Sequence, residues 1–471
     1  MFNTIVSDIS GVLYSYVLVI LLVAGGLYFT LRNKGIQFTM IGEQFRVVGE
    51  KPKDGKGVSS FGALMVSTAS RVGTGNIIGV ATALCSGGYG AVFWMWVIAL
   101  IGSASAFTES TLAQIYKKKG ADGCYGGPAY YIETALKCRP LAIVFSVLLV
   151  LTYGVGFNML ASYNLQSTFS TYSFYNEGTP WIIGGIVALT VAYCMYGGGK
   201  RLTRITGILV PVMGVAYILI ALLIVVMHID LLPAVIGRIF TEAFDFRAIF
   251  GGFAGSCLMY GVKRGLFSNE AGVGSAPNAS ASAEVSHPVK QGLVQVLSVF
   301  IDTLLVCSAT AFMCLCSGVE PGAGFGGADY VQAAMQNALG GFGPIFITVA
   351  MILFAFTTLI GNLYYVNQAF KHIFGRVPGK AFNDIYHIVA AGVIFLGAGL
   401  NAGLLWDIAD ILMGLMAIIN IPVILLLGKY AFRALGDYRR QKKEGKDPVF
   451  LAKNIDLPHQ VDYWQEDEES E

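Results

Sequence analysis

Apolar runs long enough to cross a bilayer recur along this chain, at about 11–31, 61–84, 89–116, 141–168, 181–197, 205–228, 248–262, 291–317, 343–370, 383–400 and 404–428. No other feature restricts the fold so severely. In hydrocarbon every backbone N–H and C=O must be satisfied internally, so only helices and closed barrels span, and runs of about 20 residues have helical length. The expectation is an all-α integral membrane protein with 11 transmembrane helices. Composition agrees: 55% of the 471 residues are hydrophobic and 13% charged, against about 25% charged in soluble domains.

Loop charge sets the orientation. The chain holds 31 Lys and Arg. All but Arg71, Arg238 and Arg247 fall in segments 32–57, 117–140, 198–204, 263–290 and 371–380 or in the tail from 429. Positive charge stays inside, which puts these segments in the cytoplasm, the N-terminus outside and the C-terminus inside. No basic residue precedes the first apolar run and no small-residue cleavage motif follows it, so it reads as a retained span and not a signal peptide. The tail, residues 429–471, is basic through Lys446 and ends on the acidic "EDEESE". It reads as solvated, with a basic half able to meet anionic headgroups.

Several function classes are disfavoured. The eight cysteines form no C-x-x-C pair and the five histidines are scattered, so nothing indicates a metal centre or a cofactor. A net charge of +2 without a basic stripe speaks against nucleic acid. No G-x-S-x-G, H-E-x-x-H or convergent His/Asp set is present, so the chain does not read as an enzyme. No sequence feature bears on oligomeric state.

With the first span set aside, ten remain, and ten divides into two five-span units of opposite orientation. The domain reading follows: 1–57, an extra N-terminal span and linker; 58–228, the first five-span repeat; 229–428, the second; 429–471, the cytoplasmic tail. The repeats open alike, with "FGALMVSTASRVGTG" (61–75) and "FGGFAGSCLMYGVKRG" (250–265), and both break on glycines partway across. Paired glycine-interrupted spans in inverted halves point to a transporter's binding site, whereas an ion channel needs a continuous pore. The stretch "SRVGTGNIIG" (70–79) packs poor helix formers into a spanning run. A break there frees backbone groups at mid-membrane: N–H groups that a carboxylate takes and carbonyls that a sodium ion takes. Gly73, Thr74, Gly75 and Asn76 are therefore candidate substrate contacts, with Asn76 open to sharing with sodium. Tyr260, before the glycine of the second broken span, is a further candidate, with helix packing as its alternative.

The motifs resemble those of the alanine or glycine:cation symporter family. "GGYGAVFWMWVIALIG" (87–102) is similar to its signature, and "RVGTGNIIGVATA" (71–83), "GGPAYYIE" (126–133), "RGLFSNEAGVGSAPNA" (264–279) and "HPVKQGLVQ" (287–295) resemble its other blocks in order. The resemblance implies a LeuT-type fold, a five-plus-five inverted repeat preceded by one extra N-terminal span, in the plasma (inner) membrane. It implies sodium- or proton-coupled uptake of small amino acids, so the partners are an amino-acid substrate, sodium and the lipid bilayer, with sodium as co-transported ion. Similarity to the LeuT-type sodium site raises Thr357 and Thr358 in "FAFTTLIG" (354–361) as sodium ligands, completed by the carbonyls of Ala69 and Val72. The competing reading is that such hydroxyls bond their own helix backbone.

Two departures from the family pattern bear on the substrate. Ala161 in "NMLA" stands where a glutamine is usual, and "GNLYYVN" (361–367) puts Asn362 in place of a tryptophan and Asn367 in place of a glutamate. Ala161 and Asn362 resemble pocket positions, and Asn362 lies one turn beyond Thr358 on the same face. The expected substrate is a neutral amino acid larger or more polar than alanine, such as serine, threonine, asparagine or glutamine. Arg71 inside a span is costly without a partner. Glu109, Asp302 and Glu270 are candidates, and Arg71, Glu109 and Asp302 read either as a structural ion pair or as coupling and gating charges. Asp407 and Asp410 read as lying in a wet outer vestibule.

Overall fold

The apolar runs fold as helices. The structure, a computed structural model, describes residues 2–51, 57–120, 123–196, 198–252, 256–322, 324–458 and 460–465. In chain order the main helices are α1 (Asn3–Arg32), α2 (Ser60–Arg71), α3 (Gly75–Gly87), α4 (Gly90–Ile115), α5 (Arg139–Ser167), α6 (Thr179–Met195), α7 (Arg204–Met227), α8 (Cys257–Asn269), α9 (Pro288–Leu315), α10 (Phe342–Phe374), α11 (Lys380–Ala398) and α12 (Ala402–Lys443). Among the described residues eight of these are long and apolar enough to cross a membrane; α2, α3, α6 and α8 are shorter. The outer rows of the helices present large apolar side chains, including Ile20, Ile182, Leu189, Leu222 and Ile388. Such a continuous apolar exterior is a surface for lipid.

The first expected break is present; in the second stretch, 250–265, residues 253–255 lie outside the described residues, and the helix that follows runs unbroken through Gly261 and Gly265 and ends beyond the stretch, at Glu270. Helices α2 and α8 start alike: Ser59 accepts from Gly62 N at 3.0 Å, and Ser256 accepts from Met259 N at 3.2 Å. These are side-chain N-caps. Helix α2 ends at Val72, whose ψ of 86° leaves the helical region. Helix α8 ends on Glu270 in the left-handed conformation, φ +53°, which non-glycine residues rarely adopt. Helix α8 packs against α3 and α4, and α2 packs against α7 and α10, so the two breaks meet at the centre.

Two sequence expectations need correction here. Lys263 and Arg264, assigned to a cytoplasmic loop, lie inside α8 and are buried. Hydropathy falls at two adjacent cations, but Asp410 on α12 accepts from Arg264 and, at 2.9 Å, from Lys263. Trp406 stacks on the Arg264 guanidinium at 4.2 Å. Asp410 is accordingly fully buried, not in a wet vestibule.

The tail is the second correction. The acidic end, 466–471, lies outside the described residues, but the segment after α12 is folded and not merely solvated. Phe450, Ile455, Val461 and Trp464 are buried. Trp464 Nε1 donates to the Gln114 carbonyl at 2.7 Å, and the Tyr463 and Trp464 rings lie 3.8 and 4.8 Å from Lys117 Nζ. Burial lowers the Lys117 amine to about 8. Lys290 pairs with Glu50 at 2.8 Å and Asp447 at 3.1 Å, and Lys118 with Asp462 at 3.1 Å. Segments grouped by the loop-charge pattern thus meet at one face. Truncating Trp464 to alanine should cost on the order of 3 kcal/mol, as large aromatic deletions do, read as a lower Tm of the detergent-solubilised protein with unchanged helical circular dichroism.

Candidate functional site

At the junction of the two breaks is a small cavity lined by Ser70, Arg71, Gly73, Thr74 and Gly75 of the first, Phe267 and Glu270 of the second, Phe157 of α5 and Thr358 of α10. Its volume, counted as space open to the centre of a water-sized sphere, is about 10 Å³. That is the scale of a single water, so the site is closed around its lining.

The break is held by its own polar residues. Asn76 Oδ1 accepts from Gly73 N at 2.8 Å, spanning the gap between α2 and α3. The same amide, through Nδ2, donates to Asp302 Oδ1 at 2.7 Å and to Ser268 Oγ at 3.0 Å. Asp302 also accepts from Ser268 at 2.6 Å and Thr303 at 2.8 Å. Asn76 and Asp302 both lie in π-helical turns, Gly75–Gly79 and Phe300–Cys307, wide turns that often mark functional positions.

Glycine is required where partners approach. A Cβ on Gly73 would overlap Thr358 Oγ1, and one on Gly75 would lie 2.6 Å from the Phe267 ring. At Gly361 it would lie 2.7 Å from Ser70 N. These contacts bring the break of α2 against α10, where Thr358 Oγ1 is buried without a hydrogen-bond partner. Thr357, one residue earlier, turns away: its hydroxyl donates to the Leu353 and Phe354 carbonyls, both at 3.1 Å, and faces Met213 of α7. Ala69 and Val72 are buried beside this contact.

The other sequence candidates occupy the periphery. Asn362, fully buried, accepts from Ser70 Oγ at 2.7 Å and donates to Asn158 at 3.0 Å, bridging α2 and α5 behind the cavity wall. Ala161 lies on α5 between Phe157, a lining residue, and Asn164, which donates to Thr74 Oγ1 at 3.2 Å. The spacing of 157, 161 and 164 puts all three on one face. Tyr260 packs against Gly87 at the end of α3, which is helix packing.

Arg71 forms no ion pair among the described residues. It donates through Nη1 to Gln295 Oε1 at 2.8 Å, while Nε and Nη2 have no partner. Each proposed acid is engaged elsewhere. Glu109 accepts from Asn420 at 2.7 Å and Gly272 N at 3.3 Å, and Glu270 accepts from Ser275 at 2.6 Å and Ser70 at 3.3 Å. Arg71, Glu109 and Asp302 are therefore not a structural ion pair in this conformation. Ser70, Phe157, Phe267 and Ser268 escaped the sequence reading; for Phe267 and Ser268 the signal was adjacency to Glu270 in "FSNEAG", and for Phe157 only spacing from Ala161.

Replacing Gly73 by alanine forces α10 away from the break. Overpacking of this kind costs about 1–3 kcal/mol, read as a lower Tm of the detergent-solubilised protein, and Gly73→Ser should cost at least as much.

Comparison with known proteins places the chain. The profile of the sodium:alanine symporter family matches residues 1–452. The amino-acid carrier protein AlsT of Bacillus subtilis (strain 168) is 44% identical over 468 residues, covering 99% of each chain. The probable sodium/glutamine symporter GlnT of the same organism is 42% identical, covering 98% of this chain and 95% of its own. The sodium/proton-dependent alanine carrier protein of Bacillus sp. (strain PS3) is 38% identical, covering 87% and 94%. Among solved structures, MhsT in complex with L-phenylalanine aligns with a TM-score of 0.55 at 16% identity, covering 83% of this chain and 93% of that one, a likeness of fold. The chain belongs to the sodium:alanine symporter family; it is a multi-pass membrane transporter of the amino-acid symport class, not an enzyme.

Proposed function

We propose that this member of the sodium:alanine symporter family imports a small neutral amino acid together with sodium by alternating access, and that the cavity between the two helix breaks is where both bind. The observation that carries this reading is the cavity itself, lined by both broken helices and by Thr358. A relative's name as a probable sodium/glutamine symporter and another's as a sodium/proton-dependent alanine carrier fit the substrate class. A proton-coupled symporter of the same fold is the second reading, favoured by the latter name.

In this account the chain has eleven spans, two inverted five-span repeats at 58–228 and 229–428 after the extra span of 1–57, an outer N-terminus and a cytoplasmic tail, in the plasma (inner) membrane. Sodium takes the carbonyls of Ala69 and Val72 and the hydroxyl of Thr358, the partnerless oxygen at the close approach of α10 to the break, oxygen donors suiting a hard cation. Thr357 contributes only if its side chain rotates. The substrate carboxylate meets the backbone of Gly73, Thr74 and Gly75 at the start of α3, where the helix dipole is positive. Asn76 holds that backbone in place. Sodium ordering the break preorganises the substrate site, and the coupling is reciprocal.

A thermal-shift screen of the purified protein against all amino acids, with and without sodium, tests this directly, because ligands of the folded state raise Tm by mass action. The expected result is a small set of neutral amino acids whose shifts grow with sodium; no shift with any amino acid at any sodium concentration sinks the proposal. Asn76→Ala should abolish uptake with near-normal expression, and uptake within about twofold of the wild type (under 0.5 kcal/mol) would remove Asn76 from the mechanism.

On this reading side-chain selectivity rests on Ala161 and Asn362, which lie behind the cavity wall and border the pocket once it opens for substrate. The substrate we infer has a polar side chain, as in serine, threonine, asparagine or glutamine, because a hydrogen-bonding pocket rejects analogues lacking the polar group. Asn362→Trp displaces the Ser70–Asn158 bridge, so its test is the ranking of amino acids and not the rate. Preference should move toward glycine and alanine; an unchanged ranking means position 362 does not shape the pocket.

A further inference from the structure

The cavity carries one group of each charge, and neither is neutralised by the other. Arg71 and Glu270 both line it and both are buried, one from each broken helix. They form no direct ion pair. Of the buried acids around Arg71, Glu109 and Asp302 are held outside the lining by Asn420 and Gly272 and by Asn76, Ser268 and Thr303. Glu270 is the one that reaches the cavity, where hydroxyls and no cation lie against it among the described residues: Ser275 at 2.6 Å and Ser70 at 3.3 Å. Arg71 has Nε and Nη2 buried with no hydrogen-bond partner. A guanidinium with unused donors is matched by a carboxylate, and a carboxylate with unused lone pairs by an ammonium.

We propose that Arg71 and Glu270 are a zwitterion clamp: Glu270 receives the α-ammonium of the substrate, and the free N–H groups of Arg71 add to the helix-break backbone in receiving its α-carboxylate. This rests on the amino-acid reading above and deepens it by giving each charged end of the substrate a side chain. An α-amino acid has its two charges close together and sums to zero, as do Arg71 and Glu270, so binding leaves the net charge of the cavity unchanged. Because the clamp takes one jaw from each broken helix, an occupied site ties the two breaks together. A monopolar ligand leaves one jaw buried and unpaired, which is strongly unfavourable. The clamp therefore selects for the α-amino acid group itself, leaving side-chain choice to positions such as 161 and 362.

The test measures binding to the full-length purified protein by thermal shift, in sodium, with alanine and glutamine and with analogues that lack one charged end. Propionate and 4-carbamoylbutanoate lack the amino group; alaninol and glutaminol lack the carboxylate. Glu270→Gln should weaken whichever amino acid binds by at least about 30-fold, as loss of one partner of a buried charge pair does, and change the deaminated acid by less than about threefold. Arg71→Gln should show the converse pattern with the amino alcohol. Either variant binding the amino acid within about threefold of the wild type overturns the proposal. So does a variant that weakens parent and analogue equally, since that is the mark of a merely structural role. If an analogue is too weak to measure in both proteins, Glu270→Asp and Arg71→Lys decide. The short acid and the amine keep their charges and should retain binding within about tenfold where the amides lose it; equal loss in both overturns the clamp. Failure of all four variants to fold assigns the pair to structure and also overturns it. A wild type that binds no amino acid at all refutes the amino-acid reading, whereas binding that ignores these substitutions refutes only the clamp.

Discussion

A backbone broken in the middle of an apolar span has to satisfy its freed groups, and here one side chain makes the bond that spans the gap. Asn76 closes the gap by accepting from Gly73 N, then uses its amide protons on Ser268 and Asp302. An unsatisfied polar group in hydrocarbon costs several kcal/mol, so this one amide permits the break and decides what the break is fastened to. Ser268 belongs to the second broken helix and Asp302 to α9. The residues that look worst in a helix, glycine, asparagine and threonine, are there because the chain does not form one continuous helix.

Buried charge follows the same economy. Glu109 fastens the loop after α8 to α12 through Gly272 and Asn420, and Asn420 is in turn bonded by Tyr131. Lys263 and Arg264 converge on Asp410, with Trp406 and Phe267 flanking the guanidinium at 4.2 and 5.6 Å. Phe267 then continues inward as a wall of the cavity. Removing one member of such a group strands the others in low dielectric, at a cost of about 3–5 kcal/mol. Helix α1 joins this cluster, since Ser10 accepts from Lys263 at 3.1 Å and the Tyr14 hydroxyl donates to the Asp410 carbonyl at 3.2 Å. Helix α1 is tied to α8 and α12 by these contacts.

Period and punctuation made much of this architecture readable. Long apolar runs of this length read as helices in lipid, and the cluster of poor helix formers at 73–76 marks a true break, whereas Gly261 and Gly265 leave α8 continuous. Pairwise chemistry was not readable. Lys263 and Arg264 looked like the end of a span because hydropathy cannot see a carboxylate that arrives from a helix 146 residues away. The folded tail was missed because Phe450, Trp464 and their neighbours lie in a polar, low-periodicity stretch whose partners, Gln114 and Lys117, sit on a distant helix end. Arg71 was expected to find an acid, yet geometry gives its Nη1 to Gln295, which itself is held by Ser67 at 3.0 Å.

The divergence of Thr357 and Thr358 shows how the two ligands become coupled on the proposed assignment. Adjacent helical residues point about 100° apart, and in this conformation Thr358 faces the break while Thr357 turns to its own helix. One hydroxyl closes onto its own backbone, and the other is left without a partner at the point where Gly73 admits it. Thr358 also lines the cavity. A cation that draws Thr358 and the carbonyls of Ala69 and Val72 together fixes the spacing of α10 and α2 at the edge of the substrate site. Ser70, between those carbonyls, transmits that spacing to Asn362 and Glu270 through its hydroxyl. Ion and substrate then share one set of backbone positions, and ordering them for the first lowers the entropic cost for the second.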